Sequence, residues 1–235
     1  MGNVKPVYNS KITCPVCDSE IEYTKVRSKQ IRLLRQDTDF CPYYDGVNPL
    51  FYEAVICSEC GYGSHITTFS NVDRYARAKI KEKITPKWQK RSFTGERDLL
   101  HALEAFKIVL LSLYAMDGPK SEIGKISLRI AWLYRYSGDQ EQENKYLKHT
   151  LESYKKAYSQ EDLSEEGKLD EYTCIYIIGE LSKRLGNYED STQWLSRLIM
   201  SFSDPKQKER IPNRLIEISR DLYQEVKDLA AASKE

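Results

Sequence analysis

Two Cys-x-x-Cys elements are the residues best placed for chemistry: "CPVC" at 14–17 and "CSEC" at 57–60, with 39 residues between them. Two thiolates on one tight turn reach a single ion, and two such turns close a tetrahedron with metal–sulfur bonds of about 2.3 Å. The pattern predicts one structural Zn2+ held by Cys14, Cys17, Cys57 and Cys60. Four thiolates leave no open coordination position, so such a site holds structure and performs no reaction. Pro15 fixes φ early in the first turn, and Gly61 and Gly63 permit positive φ at the exit of the second.

The competing chemistry is a thiol–disulfide redox pair. That reading wants the motif to open a helix, whereas "CPVCDSEIEYTKV" runs on into alternating, strand-like residues. Structural disulfides belong to exported chains. "MGNVKPVYNS" has no apolar signal core, and Pro6 stands where myristoylation wants Ser or Thr, so the expected compartment is the cytoplasm. Cys41 in "DFCPYY" and His65 in "YGSHIT" are alternative ligands. We read Cys41 as a small hydrophobe near the metal and His65 as a surface residue. Cys174, in "DEYTCIYII", reads as helix core.

These sulfurs need elements to position them. "SKIT" and "FYEAVI" lead into the two turns as strands, and "EIEYTKVRS" (20–28) and "IRLLRQ" (31–36) supply two more. Then comes "RQDTDFCPYYDGVNPLFYEAV" (35–55), where Asp37, Asp39, Asp45, Asn48 and Glu53 are mixed with Tyr43, Tyr44, Phe51 and Tyr52 and punctuated by Pro42, Gly46 and Pro49. It reads either as a long loop folded over the knuckles or as a binding surface built on Asp39, Tyr43, Tyr44, Asn48 and Tyr52.

"KITCPVC", "KVRSKQIRLLRQDTDFCPYYDGVNP" and "VICSECGYG", in that order, resemble a bacterial family of unknown function common in Firmicutes. Its members pair two Cys-x-x-Cys turns around a D-x-D-F-x-x-Y-Y-x-G-x-N-P-x-x-Y segment and continue into a tetratricopeptide-like half. The resemblance is close over 11–63 and loose beyond. It implies that Asp39, Tyr43, Tyr44, Gly46, Asn48 and Pro49 matter together. It implies no particular activity.

The C-terminal half carries its own pattern. "SLRIAWLYRYSGDQEQENKYLKHTL" (127–151) aligns with "IYIIGELSKRLGNYEDSTQWLSRLI" (175–199): Ile130 on Ile178, Ala131 on Gly179, Leu133 on Leu181, Gly138 on Gly186, Tyr146 on Trp194 and Leu147 on Leu195. An apolar and a small residue on one helix, a glycine turn and an aromatic on the next form the tetratricopeptide pattern. Gly138 and Gly186 end the first helices, and Asp139 and Asn187 cap the second. The offset of 48 residues implies longer helices or an intervening loop such as "SQEDLSEEG" (159–167), with helices near 98–116 and 206–231 flanking the stack. Arg129, Arg135, Tyr176 and Lys183 are candidates to line a concave peptide groove, and Trp132 and Trp194 read as core.

Between the halves, residues 71–97 hold 9 basic and 3 acidic side chains. Arg74, Arg77, Lys81 and Lys83 form a nucleic-acid contact in one reading. They would not all share a helix face, and no aromatic platform is clearly interleaved with the lysines. We therefore favour a solvated bridging helix.

The longest apolar run, "IVLLSLYAM", is far short of the roughly 20 residues a membrane span needs. Phosphate-loop, dinucleotide and hydrolase motifs are missing from the sequence. The expectation is an α+β, mostly α chain: a zinc-ribbon-like β module (1–70), a basic helical linker (71–97) and a tetratricopeptide-like α-helical domain (98–235). The expected function is a non-catalytic adaptor or scaffold for a protein or peptide partner, with no membrane contact. The alternatives are a nucleic-acid-binding protein and, third, a metal-dependent hydrolase using carboxylates of the 37–53 segment.

Overall fold

In a computed structural model, described over residues 5–163 and 169–233, the N-terminal part consists of three separate antiparallel pairs. β1 (Val7–Thr13) pairs with β2 (Glu20–Val26) from Val7↔Val26 to Thr13↔Glu20. The alternation read from the sequence sets the faces: Ile21 and Tyr23 are buried, Glu20 and Glu22 exposed. β3 (Arg32–Gln36) pairs with β4 (Pro42–Asp45), with an irregularity between Leu33 and Arg35. β5 (Ala54–Ile56) pairs with β6 (Gly63–His65). The 35–55 stretch is thus no plain loop. It contains β4 and a one-turn 3-10 helix over Pro49–Tyr52, started by Asn48, whose Oδ1 accepts from Leu50 N at 3.0 Å.

Eight helices follow among the described residues: α1 (Arg74–Lys83), α2 (Leu99–Ala115), α3 (Lys120–Ser137), α4 (Gln140–Gln160), α5 (Glu171–Arg184), α6 (Tyr188–Ser201), α7 (Pro205–Lys208) and α8 (Asn213–Ala232). None is long and apolar enough to cross a membrane. The glycine turns lie where the alignment puts them. Gly138 and Gly186 take φ of +75° and +77° and end α3 and α5. Asp139 Oδ1 accepts from Gln142 N at 3.1 Å, and Asn187 Oδ1 from Asp190 N at 3.2 Å. The aligned apolar positions are buried in both copies: Ile130 and Ile178, Leu133 and Leu181, Leu147 and Leu195. Trp132 is buried, but Trp194 is only half-buried, its ring edge-on to Tyr158 at 5.1 Å. Part of the loop expected over 159–167 lies outside the described residues.

The chain forms two compact units, Met1–Gln36 with Pro42–Tyr146, and Asp37–Cys41 with Leu147–Glu235. The boundaries expected near 70 and 97 fall inside the first. Its core joins Val16, Ile21, Tyr23, Val55, Tyr62 and Phe69 to Ile80 and Ile84 of the basic stretch. Those two residues are one helical turn apart and make an anchor that charge counting overlooks. Arg97, at the end of that stretch, is buried and donates to the carbonyls of Phe51, Ala54 and Phe93 at 2.8–3.2 Å. Burial lowers its pKa to about 10, far above neutrality, so it stays charged. Residues 71–97 are therefore built into the unit and are not a solvated linker.

In the second unit, α5, α6 and α8 pack together with residues 37–41. Gly179 of α5 lets α6 approach, since a Cβ there would stand 2.8 Å from Leu195. Phe40, at φ +68°, stacks on Tyr176 with ring centroids 5.4 Å apart. Tyr176 donates its hydroxyl to Thr38 O at 2.9 Å. Arg184 donates to Glu180 at 2.8 Å and lies 3.6 Å from Asp39, and both carboxylates are fully buried. The second oxygen of Glu180 is 3.2 Å from Lys183 Nζ. Removing one charge from such a network costs about 3–5 kcal/mol. Arg184→Met should therefore lower stability by about that much in urea unfolding, and adding Glu180→Gln should recover part of it. An unchanged midpoint for Arg184→Met would show that the cation does not hold the two carboxylates.

Candidate functional site

The cysteine turns are built alike. In the first, Asp18 N donates to Cys14 O and Cys14 N to Ser19 O, both at 2.9 Å. In the second, Gly61 N donates to Cys57 O at 3.0 Å and Cys57 N to Tyr62 O at 2.7 Å. The residue after each second cysteine is left-handed: Asp18 at φ +63° and Gly61 at +78°. Gly61 is also required by packing, because a Cβ there would lie 2.6 Å from the Trp88 ring. Gly63 has no positive φ; a Cβ there would meet Ile56 at 2.7 Å. Trp88 donates Nε1–H to Ser58 O at 2.7 Å, and Thr85 gives its hydroxyl to Cys60 O at 3.1 Å. The segment after α1 thus braces the second turn.

All four sulfurs lie within 4.8 Å of one another. Cys14 and Cys60 Sγ are 3.7 Å apart, and Cys17 and Cys57 Sγ 3.6 Å. Disulfides need about 2.05 Å, whereas a tetrahedron with metal–sulfur bonds of about 2.3 Å has edges of about 3.8 Å. The geometry is that of a metal-ligand set. Hydrogen bonds from Cys14 and Cys60 favour the Cys57 thiolate, while bonds with Cys14 and then Cys57 push Cys60 up, and the bond with Cys57 pushes Cys14 up. Four thiolates this close ionise together only around a cation, so the donor set fits a soft divalent metal and loading must release protons. Neither Cys41 nor His65 belongs to the set. Cys41 is buried, its N–H donating to Asp39 at 3.2 Å. Cys174 is core as expected, its thiol pushed up to about 12 by burial.

His65 is not on the surface. It is buried, with Nδ1 2.7 Å from Thr67 Oγ1 and Nε2 3.3 Å from Glu53. Arg129 reaches the same Glu53 oxygen at 3.2 Å. Burial raises the Glu53 carboxyl, but the His65 hydrogen bond and the Arg129 charge outweigh it, and the net direction is down.

A family model described as "Uncharacterized protein conserved in bacteria (DUF2225)" matches residues 7–226. The chain belongs to that family. No curated protein and no solved structure matches it.

Three of the five expected surface residues, Tyr43, Tyr44 and Asn48, meet in one cleft of the first unit, about 560 Å³ in volume. Leu34, Arg35, Phe51, Leu99 and Tyr136 complete its lining. The Arg35 guanidinium lies 3.4 Å from the Tyr43 ring centroid, and Tyr136 meets Tyr43 edge-on at 5.5 Å. Burial, and then the negative Glu53, raise the Tyr44 phenol, so it is a neutral donor. The other two expected residues are not displayed. Asp39 is fully buried beside Arg184, and Tyr52 is buried with its hydroxyl accepting from Arg97 N at 3.0 Å. Sequence reasoning missed Arg35 and Tyr136.

The groove candidates have internal partners: Arg129 with Glu53, Arg135 with Glu143, Tyr176 with Thr38 and Lys183 with Glu180 and Glu225. Among the basic residues, Arg77 pairs with Asp18 and Lys83 donates to Ala115 O, leaving Arg74 and Lys81 as exposed charges. The carboxylates expected for hydrolysis are also engaged, Glu53 as above and Asp45 with Arg32 at 3.5 Å.

Two outcomes follow. Chelation or Cys57→Ser should lower bound metal from one to none per chain and unfold the β pairs, seen as lost near-ultraviolet dichroism; an unchanged spectrum would separate the metal from the fold. Glu53, with a depressed pKa, adds stability above its ordinary value of 4.5 that is lost as pH falls below it. Glu53→Gln should then cost about 2 kcal/mol at neutral pH, with the gap to the wild type closing in acid. A gap independent of pH would refute the charge-based role.

Proposed function

We propose that the protein is a zinc-stabilised, non-catalytic adaptor that presents an aromatic cleft to an extended segment of a protein partner in the cytoplasm. The observation that carries this is the convergence of Tyr43, Tyr44 and Asn48 with Arg35 on one open cleft. Aromatic-lined clefts with a few polar groups recognise peptides by packing a side chain against rings and fixing it with hydrogen bonds. Here the rings would take an apolar or aromatic side chain, Tyr44 and the Asn48 amide would bond its backbone, and Arg35 would favour a neighbouring carboxylate. Zinc is the metal favoured by a closed set of four thiolates with a structural role. Its tetrahedron keeps the two turns in place while the segment between them contributes the cleft wall. The helical half, read as tetratricopeptide-like from its 48-residue alignment, spends its groove positions on internal partners, which leaves recognition to the cleft.

Affinity isolation of the tagged full-length protein from its own cells, with and without nuclease, tests this, with metal analysis on the same material. A defined protein should co-purify through nuclease treatment with one zinc per chain, and Arg35→Glu should reduce its recovery about tenfold with the fold intact by far-ultraviolet dichroism. The same recovery with Arg35→Glu would move recognition off the cleft. Material seen only without nuclease, and lost with salt, would assign binding to nucleic acid and to α1.

A further inference from the structure

Helix α2 is apolar nearly all round, and the ends of one of its faces are left uncovered among the described residues. Leu100 is 74% exposed and Leu111 is 55% exposed. Between them Leu103 and Ile108 form the floor of a shallow groove of about 460 Å³, walled by Tyr134 of α3, and Glu104 and Lys107 stand on its rim. These six positions, 100, 103, 104, 107, 108 and 111, recur at three- and four-residue steps and so share one helix face.

The order of types along this face reads the same in both directions. About the midpoint between residues 105 and 106, Leu100 mirrors Leu111, Leu103 mirrors Ile108, and Glu104 mirrors Lys107 with the opposite charge. Rotating a second α2 by a two-fold axis through that midpoint sets apolar against apolar and Glu104 against Lys107 in two equivalent pairs. The row Leu100–Glu104–Ile108 falls on Leu111–Lys107–Leu103, so rows spaced by four interdigitate, the commonest way for helices to pack. An isologous interface must be complementary to itself, and an unrelated partner would impose no such symmetry. We propose that this face docks a second copy of the chain, α2 antiparallel to α2. The Glu104 Oε1 already pairs with Arg91, and Oε2 accepts from Lys107 of the second copy. Lys107 Nζ lies 5.3 Å from the Tyr134 ring centroid, which holds it at the rim. None of the six residues lines the aromatic cleft, so this interface stands or falls apart from the adaptor reading.

Sedimentation equilibrium of the full-length, metal-loaded protein is the test. The wild type should be a dimer, and Leu111→Asp a monomer with unchanged far-ultraviolet dichroism, since that side chain is exposed within the single chain. Glu104→Lys and Lys107→Glu should each weaken self-association about tenfold, because both rim pairs then repel. Mixed together, the two variants should associate as a heterodimer, and the double variant should dimerise again. A monomeric wild type up to about 1 mM, a dimer indifferent to Leu111→Asp, or charge variants that do not rescue one another would each overturn the proposal.

Discussion

Four sulfurs held within 4.8 Å of one another are the constraint on which the first unit depends. Its three strand pairs are separate two-stranded sheets, and such pairs are marginal in water by themselves. Cys14, Cys57 and Cys60 lie in the same core as Tyr62, Phe69 and Ile80, so the metal set and the apolar core are one structure. Cys14 and Cys60 are 46 residues apart in the chain. By the loop-closure argument a metal bridging that span would remove about 4 kcal/mol of chain entropy from the unfolded state. That is comparable with the whole stability of a small domain. The polar braces depend on this centre as well: the bonds of Trp88 and Thr85 to the second turn are useful only if that turn is fixed.

The long D-x-D-F-x-x-Y-Y-x-G-x-N-P segment serves two units. Its first part, Asp37–Cys41, belongs with the helices, where Phe40, Thr38 and Asp39 engage Tyr176, Glu180 and Arg184. Its second part, from Tyr43 to Asn48, lines the cleft of the first unit. This division accounts for the density of carboxylates and aromatics in so short a stretch, because each half meets a different chemical environment. Buried ionic networks contribute little net stability, since desolvation offsets attraction, but a wrong arrangement is strongly disfavoured. Asp39, Glu180 and Arg184 therefore fix which segment lodges among the helices more than how tightly it does so. Arg129, Arg135, Tyr176 and Lys183, expected to line a peptide groove, are committed to internal contacts.

Burial divides the titratable groups by role. Cys174 and Tyr62 are pushed up to about 12 and are inert packing at neutral pH. Arg97 stays charged although buried, because three backbone carbonyls accept its protons. Glu53 stays ionised because His65 and Arg129 reach one of its oxygens. The polar groups of the first unit are thus mostly fasteners, and Tyr44 of the cleft is kept as a neutral donor.

What the sequence determined by itself was everything governed by residues a few positions apart. The sulfur set follows from two four-residue turns, the strand faces of β2 from alternation, and the ends of α3 and α5 from a glycine whose left-handed φ other residues avoid. The caps Asp139 and Asn187 are read from positions only three residues from the amides they bind. Tertiary structure decided burial and pairing across long separations. Asp39 and Tyr52 look like surface groups until Arg184, far along the chain, and Arg97 are brought to them. His65 looks solvated until Glu53 pairs with it, and residues 71–97 look like a linker until Ile80 and Ile84 find the cysteine core. The physical reason is the same each time. Local backbone geometry is encoded by steric and hydrogen-bonding preferences of neighbours, whereas the environment of a side chain is set by whichever distant surface excludes water from it.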